Sequence, residues 1–300
     1  MLYDIVILTE HRYINPKKKD WYIKQVLLED QILLDELSNL DLNVCKKDWS
    51  DKSFIWSNTK YAIFRTTWDY FNRYEEFFNW IEETKNKTKF INTAEIIKWN
   101  VDKKYLKELS DKGINIAPTI FIEKNKHQTL KNLFRRTNWK EAVIKPAVSG
   151  AARHTYRISS NNYKKFENIF KELVKNECML FQEFLNSIII KGEISLIVIN
   201  GIYTHAVKKI AKKGDFRVQD DHGGKVERYE PNKNEIKFAE KCINKCIQIP
   251  MYARVDLIYD NNNKISLSEL ELIEPELWFR NNKSSAKLLA KSIKNKLFSK

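Results

Sequence analysis

The chain has 300 residues, of which 43% are hydrophobic and 12% aromatic, so it can bury substantial cores and is not a disordered protein. This length is more than most single cores hold, and we expect two or three packed lobes. The formal net charge of +14 does not indicate a nucleic-acid partner, because 42 of the 53 basic residues are lysines dispersed along the chain and arginine is scarce.

The sequence favours a cytoplasmic protein without a membrane partner. No run approaches the roughly 18 apolar residues that a membrane span requires. The segment Met1–Ile5 also lacks the basic start of a signal peptide. The four cysteines show neither a disulfide framework nor a zinc spacing, and we expect reduced thiols.

The first hundred residues alternate strand and helix patterns. A buried-strand pattern opens the chain, an apolar helical periodicity follows, and two short strands come next. These segments are Tyr3–Leu8, Ile23–Leu40, Leu42–Cys45 and Tyr61–Phe64. Strands that alternate with helices are typical of an α/β lobe with a parallel, doubly wound sheet. We place this first lobe at residues 1–100.

A second lobe is predicted at residues 101–190. It opens with a helix from Asp102 to Lys112, which Gly113 ends. Four strands follow this helix, at Thr119–Ile122, Ala142–Lys145, Thr155–Ile158 and Met179–Gln182.

The third predicted lobe covers residues 191–300. It begins with a hairpin turned at Asn200-Gly201, the dipeptide that favours a two-residue hairpin turn most strongly. Helices are predicted at Asn234–Ile247 and Ser284–Phe298, on either side of a second hairpin.

That second hairpin is acidic. Its strands are Met251–Tyr259 and Lys264–Leu272, separated by three asparagines. Residues two apart on a strand share a face, so Glu269 and Glu271 point the same way and the pairing can bring Asp256 beside them. Oxygen ligands of this kind suit Mg²⁺, which relieves the mutual repulsion of grouped carboxylates. The alternative is a solvated acidic strand face.

Three basic segments could handle phosphate groups. Lys145 ends a strand and precedes a loop of small residues that contains Ser149 and Gly150. Lys103 is expected just inside the helix that opens the second lobe. Arg217 follows Gly214 in a polar, glycine-containing loop suited to covering a transferring phosphate. The alternatives are a plain strand–loop–strand, a solvated helical lysine and a surface turn.

Taken together and in order, these segments resemble the ATP-grasp ligases, within them the glutathione-synthetase-like branch, and more narrowly O-ureido-serine cyclo-ligase-like proteins. The motifs that carry the resemblance are Arg65-Thr-Thr-Trp-Asp-Tyr70, Trp99-Asn-Val-Asp-Lys103, Gln182-Glu-Phe-Leu185, Gly192-Glu193, Gly214-Asp-Phe-Arg-Val-Gln219, Tyr252-Ala-Arg-Val-Asp256 and Glu269-Leu-Glu-Leu-Ile-Glu-Pro275. The resemblance implies an α/β protein of the ATP-grasp fold, with a Rossmann-like N-terminal lobe before a two-lobed ATP-binding region.

The resemblance also implies roles for individual residues. For the nucleotide, it implies phosphate contacts by Lys103 and Lys145 and by the loop of Ser149 and Gly150. It implies an interlobe hinge at Gln182, Glu183, Phe184 and Leu185, and a contact of Glu193 with the ribose. Arg217 and Arg254 would stabilise the transferred phosphoryl group. Two Mg²⁺ ions, or Mn²⁺ instead, would be held by Asp256, Glu269 and Glu271. The second glutamate replaces an asparagine usual in relatives and Pro275 falls one residue late, so Glu274 is the alternative ligand to Glu271.

The implied reaction is an ATP-dependent carboxylate–amine ligation or cyclisation through an acyl phosphate, releasing ADP and phosphate. Its expected substrate is small and amino-acid-like, bound by Arg65, Asp69 and Glu274. A salt bridge from Asp69 to a neighbouring arginine is the alternative for that residue. Two other functions stay open: a ligase that modifies a protein or peptide tail, and a non-catalytic ATP-binding regulator. A homo-oligomer is also open.

Overall fold

The computed structural model describes residues 2–218 and 223–298 and contains three β-sheets that follow one another along the chain. The predicted Gln219 lies outside the described residues. Within the part of the chain described, no helix has both the length and the apolar character needed to cross a membrane.

The N-terminal sheet is parallel, as the alternating pattern predicted, with strand order β2-β1-β3-β4. Its strands are β1 (Tyr3–Thr9), β2 (Val44–Asp48), β3 (Thr59–Thr66) and β4 (Lys89–Ile91). Its helices are α1 (Trp21–Ser38), α2 (Tyr74–Thr84) and α3 (Ala94–Asn100). The predicted second strand began two residues too early, because Asp41 takes a left-handed φ of 59° and Leu42 lies in the turn that follows α1.

The second sheet is antiparallel, with order β5-β8-β6-β7, and the four predicted strands are confirmed. They are β5 (Thr119–Ile122), β6 (Glu141–Pro146), β7 (Tyr156–Ser159) and β8 (Met179–Glu183). The helices in this part of the chain are α4 (Tyr105–Asp111), α5 (Leu130–Thr137), α6 (Glu167–Asn176) and α7 (Ser187–Ile190). Leu133 of α5 and Phe170 of α6 are fully buried against this sheet, which gives it a core of its own.

The third sheet is antiparallel, with order β11-β10-β9-β12-β13. Its strands are β9 (Glu193–Ile199), β10 (Ile202–Ile210), β11 (Lys225–Tyr229), β12 (Tyr252–Tyr259) and β13 (Ile265–Glu271), with helices α8 (Lys233–Asn244) and α9 (Lys283–Phe298). Both predicted hairpins are confirmed. Asn200 and Gly201 have φ values of 48° and 80°, the left-handed pair that a type I′ turn requires. Strand β11 was not predicted.

The first and third sheets share a hydrophobic core. Ile5 and Ile63 of the parallel sheet belong to the same buried cluster as Ile197 and Tyr252 of the third sheet. Helix α9 packs against α1 and closes this cluster. The shared core fixes the N-terminal lobe against strands β9 and β12, and this arrangement positions the cavity described next.

Candidate active site

A cavity of about 780 Å³ is lined by residues of the second and third sheets and by residues of the N-terminal lobe that lie outside its sheet. This volume falls within the range usual for small-molecule sites. Sixteen of the seventeen site residues predicted from the sequence line it; Arg65 is the exception.

The pairing of strands β12 and β13 brings the acidic groups together. In the β12–β13 register, Asp256 lies opposite Glu269 and Arg254 lies opposite Glu271. Residues two apart on each strand point to the same face, so all four side chains face the cavity. The predicted grouping of the three carboxylates on one face is therefore observed.

Asp256 is the most deeply buried of the three carboxylates, only 1% exposed. It accepts hydrogen bonds from Ser195 Oγ at 2.6 Å, Arg254 Nε at 2.9 Å and Lys209 Nζ at 3.0 Å. Burial alone would raise the pKa of Asp256, but Arg254 and Lys209 outweigh it and hold the pKa well below its ordinary value. Asp256 is ionised at neutral pH.

The two glutamates differ in charge state. Glu269 pairs with Lys103 at 3.0 Å, and Lys103 and Lys145 together outweigh burial and lower its pKa. Glu271 pairs with Arg254, yet burial and the neighbouring Glu269 raise the pKa of Glu271 to about 7. Glu271 is therefore the least fully ionised of the three carboxylates at neutral pH.

The donor set fits a hard divalent cation. All its candidate ligands are carboxylate oxygens, which Mg²⁺ prefers, and an added cation would relieve the repulsion that raises the pKa of Glu271. Throughout residues 2–218 and 223–298, however, no three acidic, histidine or cysteine side chains converge closely enough to form a ready metal cage. The reason is visible in the contacts, because basic side chains occupy the carboxylate oxygens.

The phosphate-side lysines lie close to Glu269. Lys145, on β6, is half-buried, and its withdrawal from solvent lowers its pKa while Glu269 opposes the shift. Lys103 does not lie in a helix, contrary to the prediction. It occupies the turn between α3 and α4, where its backbone amide donates to Ala147 O at 2.9 Å and Nζ donates to Ser149 O at 2.6 Å. Helical spacing misplaced it because the pattern runs on through this break.

The small-residue loop after β6 is internally bonded. Ser149 Oγ donates to Arg153 O at 3.0 Å, and Arg153 forms an ion pair with Glu177. Ala151 and Ala152 both have left-handed φ values, 48° and 54°. We refer to residues 147–155, which are bonded to Lys103, as the phosphate loop.

Residues 182–185, the predicted interlobe hinge, contribute to an apolar slot of the cavity. Phe184 and Leu185 are buried and cluster with Ile258 and Val218. Gln182 Nε2 donates to Thr119 Oγ1 at 2.9 Å. An apolar slot flanked by strand-end backbone groups can accept a flat heteroaromatic ring.

Lys209 is a site residue that sequence reasoning missed. Its Nζ donates to Glu193 Oε1 at 2.5 Å and to Asp256 Oδ2 at 3.0 Å. A simple two-residue hairpin would place Lys208 opposite Glu193. A bulge between Tyr203 and His205 shifts the register by one and brings Lys209 there instead. Nothing in the sequence marks that bulge.

Arg217 lines the cavity from the loop that precedes β11. Its guanidinium donates to Asp215, with Nη2 to Oδ2 at 2.7 Å, and this contact holds the pKa of Asp215 well below its ordinary value. The arginine is thus held at the cavity by its near neighbour.

The N-terminal lobe contributes Asp69 and supports Glu274. Asp69 accepts from Trp49 Nε1 at 2.7 Å and pairs with Arg73 at 2.7 Å, the salt bridge named as the alternative. Glu274 is hydrogen-bonded to Tyr70, and burial followed by Glu271 raises the pKa of Glu274 to about 8. Glu274 is therefore largely protonated at neutral pH in this ligand-free state.

Arg65 is placed in the interior, away from the cavity, although the sequence predicted a substrate contact. It is 1% exposed, and its guanidinium lies 5.9 Å from the ring centre of Tyr252 and 5.6 Å from that of Phe279. Its charge also lowers the pKa of buried Asp30, opposing the rise that burial causes. Both faces of a parallel sheet are covered, so alternation along β3 could not show which face meets the cavity.

Comparison with known proteins identifies the family. Residues 5–92 match the family described as D-cycloserine synthetase DcsG, N-terminal domain, and residues 106–267 match that described as prokaryotic glutathione synthetase, ATP-grasp domain. The cycloserine biosynthesis protein DcsG of Streptomyces lavendulae is 23% identical over 241 residues, which is 77% of this chain and 81% of that protein.

Solved structures show the same fold. The crystal structure of D-cycloserine synthetase DcsG superposes with a TM-score of 0.85 at 20% identity, covering 98% of this chain and 99% of that one. The D-alanine–D-alanine ligase from Bacillus anthracis complexed with ATP gives a TM-score of 0.69 at 11% identity, covering 99% and 98%. ATP-grasp ligases use ATP and divalent metal ions. Because the glutathione-synthetase ATP-grasp match alone spans more than half of the residues, the chain belongs to the ATP-grasp ligases, which confirms the fold and the enzyme class that the sequence resemblance implied.

Proposed function

We propose that this enzyme joins a carboxylate to an amine of a small, amino-acid-like substrate, by ligation or ring closure, through an acyl phosphate. The observation that carries the proposal is one cavity bordered by phosphate-side lysines, by grouped carboxylates with an arginine, and by Asp69 and Glu274 on the side of the N-terminal lobe. We further propose the lobe limits 1–100, 101–190 and 191–300.

In this proposal ATP spans the cavity from the hinge slot to the carboxylates. The slot formed by Phe184 and Leu185 takes adenine, and Glu193 meets the ribose hydroxyls. Lys103 and Lys145 bind phosphates, and the phosphate loop covers them with its backbone amides. One buried and one half-buried lysine, Lys103 and Lys145, in a cavity otherwise rich in carboxylates support this orientation.

Asp256, Glu269 and Glu271 would hold the divalent ions, with Glu274 as the alternative to Glu271. Bound Mg²⁺ supplies charge neutralisation and orients the phosphates. Arg254 and Arg217 border the same region and would stabilise the negative charge that develops during phosphoryl transfer.

The substrate carboxylate attacks the γ-phosphorus, forming a carboxyl oxygen–phosphorus bond while the bond to ADP breaks. The amine nitrogen then attacks the acyl carbon, phosphate leaves, and the nitrogen loses a proton. Glu274 is suited to receive the substrate's ammonium group. It lies at the cavity, it forms no ion pair with a lysine or arginine of residues 2–218 and 223–298, and a bound cation would restore its ionised form.

The amino-acid-like substrate class is supported by the relatives, since a D-cycloserine synthetase and a D-alanine–D-alanine ligase share the fold. The cavity volume also suits a nucleotide and a small second molecule better than a folded protein tail.

The test measures ADP release from ATP–Mg²⁺ across a panel of free amino acids, their ureido and hydroxylamine derivatives, and an acidic peptide. The wild type should release ADP with a small-molecule member of the panel. Asp256→Asn should lower this rate by about 100-fold or more, because a buried anion that neutralises both Arg254 and the metal is lost.

Asp111→Asn, an exposed aspartate of α4 paired only with Lys107, is the matched control and should keep the wild-type rate. Circular dichroism would check that each variant is folded. Undiminished ADP release by Asp256→Asn would contradict the site, and ADP release only with the acidic peptide would contradict the substrate class.

A further inference from the structure

Gly150 of the phosphate loop is pressed against an aromatic ring of the N-terminal lobe. A Cβ atom built on Gly150 would lie 2.6 and 2.7 Å from two ring carbons of Phe71, and the next nearest atom, at 3.5 Å, also belongs to that ring. These distances are below any ordinary carbon–carbon contact. A side chain at this point of the loop therefore requires the loop or the ring of Phe71 to move.

The backbone does not require glycine there. The φ of Gly150 lies outside the left-handed region, whereas the next two residues, Ala151 and Ala152, adopt left-handed φ values with alanine. The loop thus carries alanine where backbone geometry would favour glycine, and glycine where geometry would accept alanine. The ring of Phe71 is the remaining physical reason for Gly150.

Phe71 stands next to the substrate side of the cavity. It lies in a 3-10 turn, Tyr70–Asn72, and its ring contacts the ring of Tyr70 with 5.7 Å between centroids. Tyr70 is hydrogen-bonded to Glu274, and Trp68 Nε1 donates to Glu274 O at 3.0 Å. A continuous set of contacts therefore joins the phosphate loop to the carboxyl group proposed to meet the substrate amine.

We infer that Phe71 is a positioning residue that holds the phosphate loop over the nucleotide phosphates and links loop closure to the substrate side of the cavity. The inference rests on the proposed nucleotide site. The loop is also bonded to Lys103, to Glu177 and, through Ala147 N, to Cys178 O. Val148 packs with Phe71 against the apolar cluster of the N-terminal lobe. Lys103 is itself assigned to phosphate, so the contacts that persist with this lobe when that lysine turns to the nucleotide are those of Gly150 with Phe71 and of Val148 with the cluster.

The test compares Gly150→Ala, Phe71→Ala and the double variant by calorimetric titration with ATP–Mg²⁺, with the melting temperature measured for each. Gly150→Ala should weaken binding about tenfold, because the new methyl group must push the loop off the ring. The double variant has room for the methyl group, so its affinity should return to within about twofold of Phe71→Ala alone.

If the wild type releases ADP with a panel substrate, Gly150→Ala should raise KM for ATP more than it lowers kcat, and Phe71→Ala should raise ADP release in the absence of that substrate. Phe78→Ala, an aromatic residue of α2 that is 37% exposed and does not line the cavity, is the control and should change neither quantity. Phe71→Leu, a milder truncation, replaces Phe71→Ala if that variant does not fold.

Two results would overturn the inference while leaving the nucleotide site intact: wild-type affinity in Gly150→Ala, or a Gly150→Ala loss that Phe71→Ala does not rescue. Failure of the wild type itself to bind ATP–Mg²⁺ would overturn the proposed nucleotide site and this inference with it. The two failures are thereby distinguished.

Discussion

Lys209 shows how a single buried cation organises the charges of this cavity. It is 4% exposed and contacts Glu193 on one side and Asp256 on the other. Burial alone would lower the pKa of Lys209, but these two carboxylates outweigh burial and raise it, so the lysine stays charged. It keeps two carboxylates of the third sheet together that would otherwise repel each other.

Replacing Lys209 by methionine should therefore lower the free energy of unfolding of the ligand-free protein by about 3 kcal/mol, because two buried carboxylates lose a shared cation. Urea unfolding monitored by tryptophan fluorescence measures the change. Lys208→Met alters the adjacent lysine on the opposite face of β10 and should cost less than about 0.5 kcal/mol. Equal losses in the two variants would contradict the assignment.

Residue identities at the site could be predicted, but residue orientations could not. Asp256, Glu269 and Glu271 were placed on one face correctly, because two-residue periodicity settles that relation within a hairpin. Arg65 was misplaced because its strand is buried on both faces, and Lys209 was missed because a bulge displaced it by one position. Sheet burial and bulges depend on contacts with distant segments.

At the scale of the element, strand β10 carries a buried histidine that is kept neutral. His205 Nε2 donates to Leu277 O at 3.0 Å, and Nδ1 lies 3.0 Å from Thr204 Oγ1. Burial, with a smaller effect of nearby Arg228, lowers the pKa of His205 from 6.5 to about 4, although its hydrogen bond to Leu277 opposes the shift. Between these two pKa values, His205 therefore binds a proton in the unfolded chain but not in the folded chain.

This difference predicts a pH dependence of stability. The contribution of His205 should be complete above pH 6.5 and should be lost as the pH falls toward 4, by about 3 kcal/mol in total. His205→Gln should flatten the stability profile over this range, as measured by urea midpoints at several pH values. His127→Gln, at an exposed position, should show the same dependence of stability on pH as the wild type. An unchanged slope in His205→Gln would refute the prediction.

Elements with strong local signals were predicted well and those without were not. The Asn200-Gly201 turn and the asparagine turn of the acidic hairpin were confirmed, because their sequences require left-handed backbone. The helix predicted from Asp102 failed at its start, since the chain breaks between α3 and α4 to let Lys103 bond to the phosphate loop. A tertiary contact there overrides the local pattern.

At the scale of the whole molecule, Asn92 joins the N-terminal lobe to the third sheet. Its Nδ2 donates to Tyr252 O at 2.9 Å and to Leu272 O at 2.8 Å, and its Oδ1 accepts from Met251 N. The side chain is 2% exposed, so it satisfies three buried backbone groups that have no access to water.

Asn92→Ala should lower the free energy of unfolding by about 3 kcal/mol, because three buried backbone groups lose their partner. It should also lower the affinity for ATP–Mg²⁺, since the lobe that carries Phe71 loses part of its attachment. Asn176→Ala removes a single exposed bond to Glu172 O and should change stability by less than about 0.5 kcal/mol. Differential scanning calorimetry compares the two, and equal melting temperatures would rule the prediction out.

The ion pairs of the cavity have a thermodynamic consequence. Lys103 is neutralised by Glu269, and Arg254 by Asp256 and Glu271. A phosphate that binds Lys103 without a metal ion would leave Glu269 without its cation. A divalent cation that binds Glu269 without a phosphate would leave Lys103 without its anion. Arriving together, they exchange partners and leave every charge neutralised. Nucleotide and metal should consequently enter as one unit, each strengthening the hold on the other by the same factor.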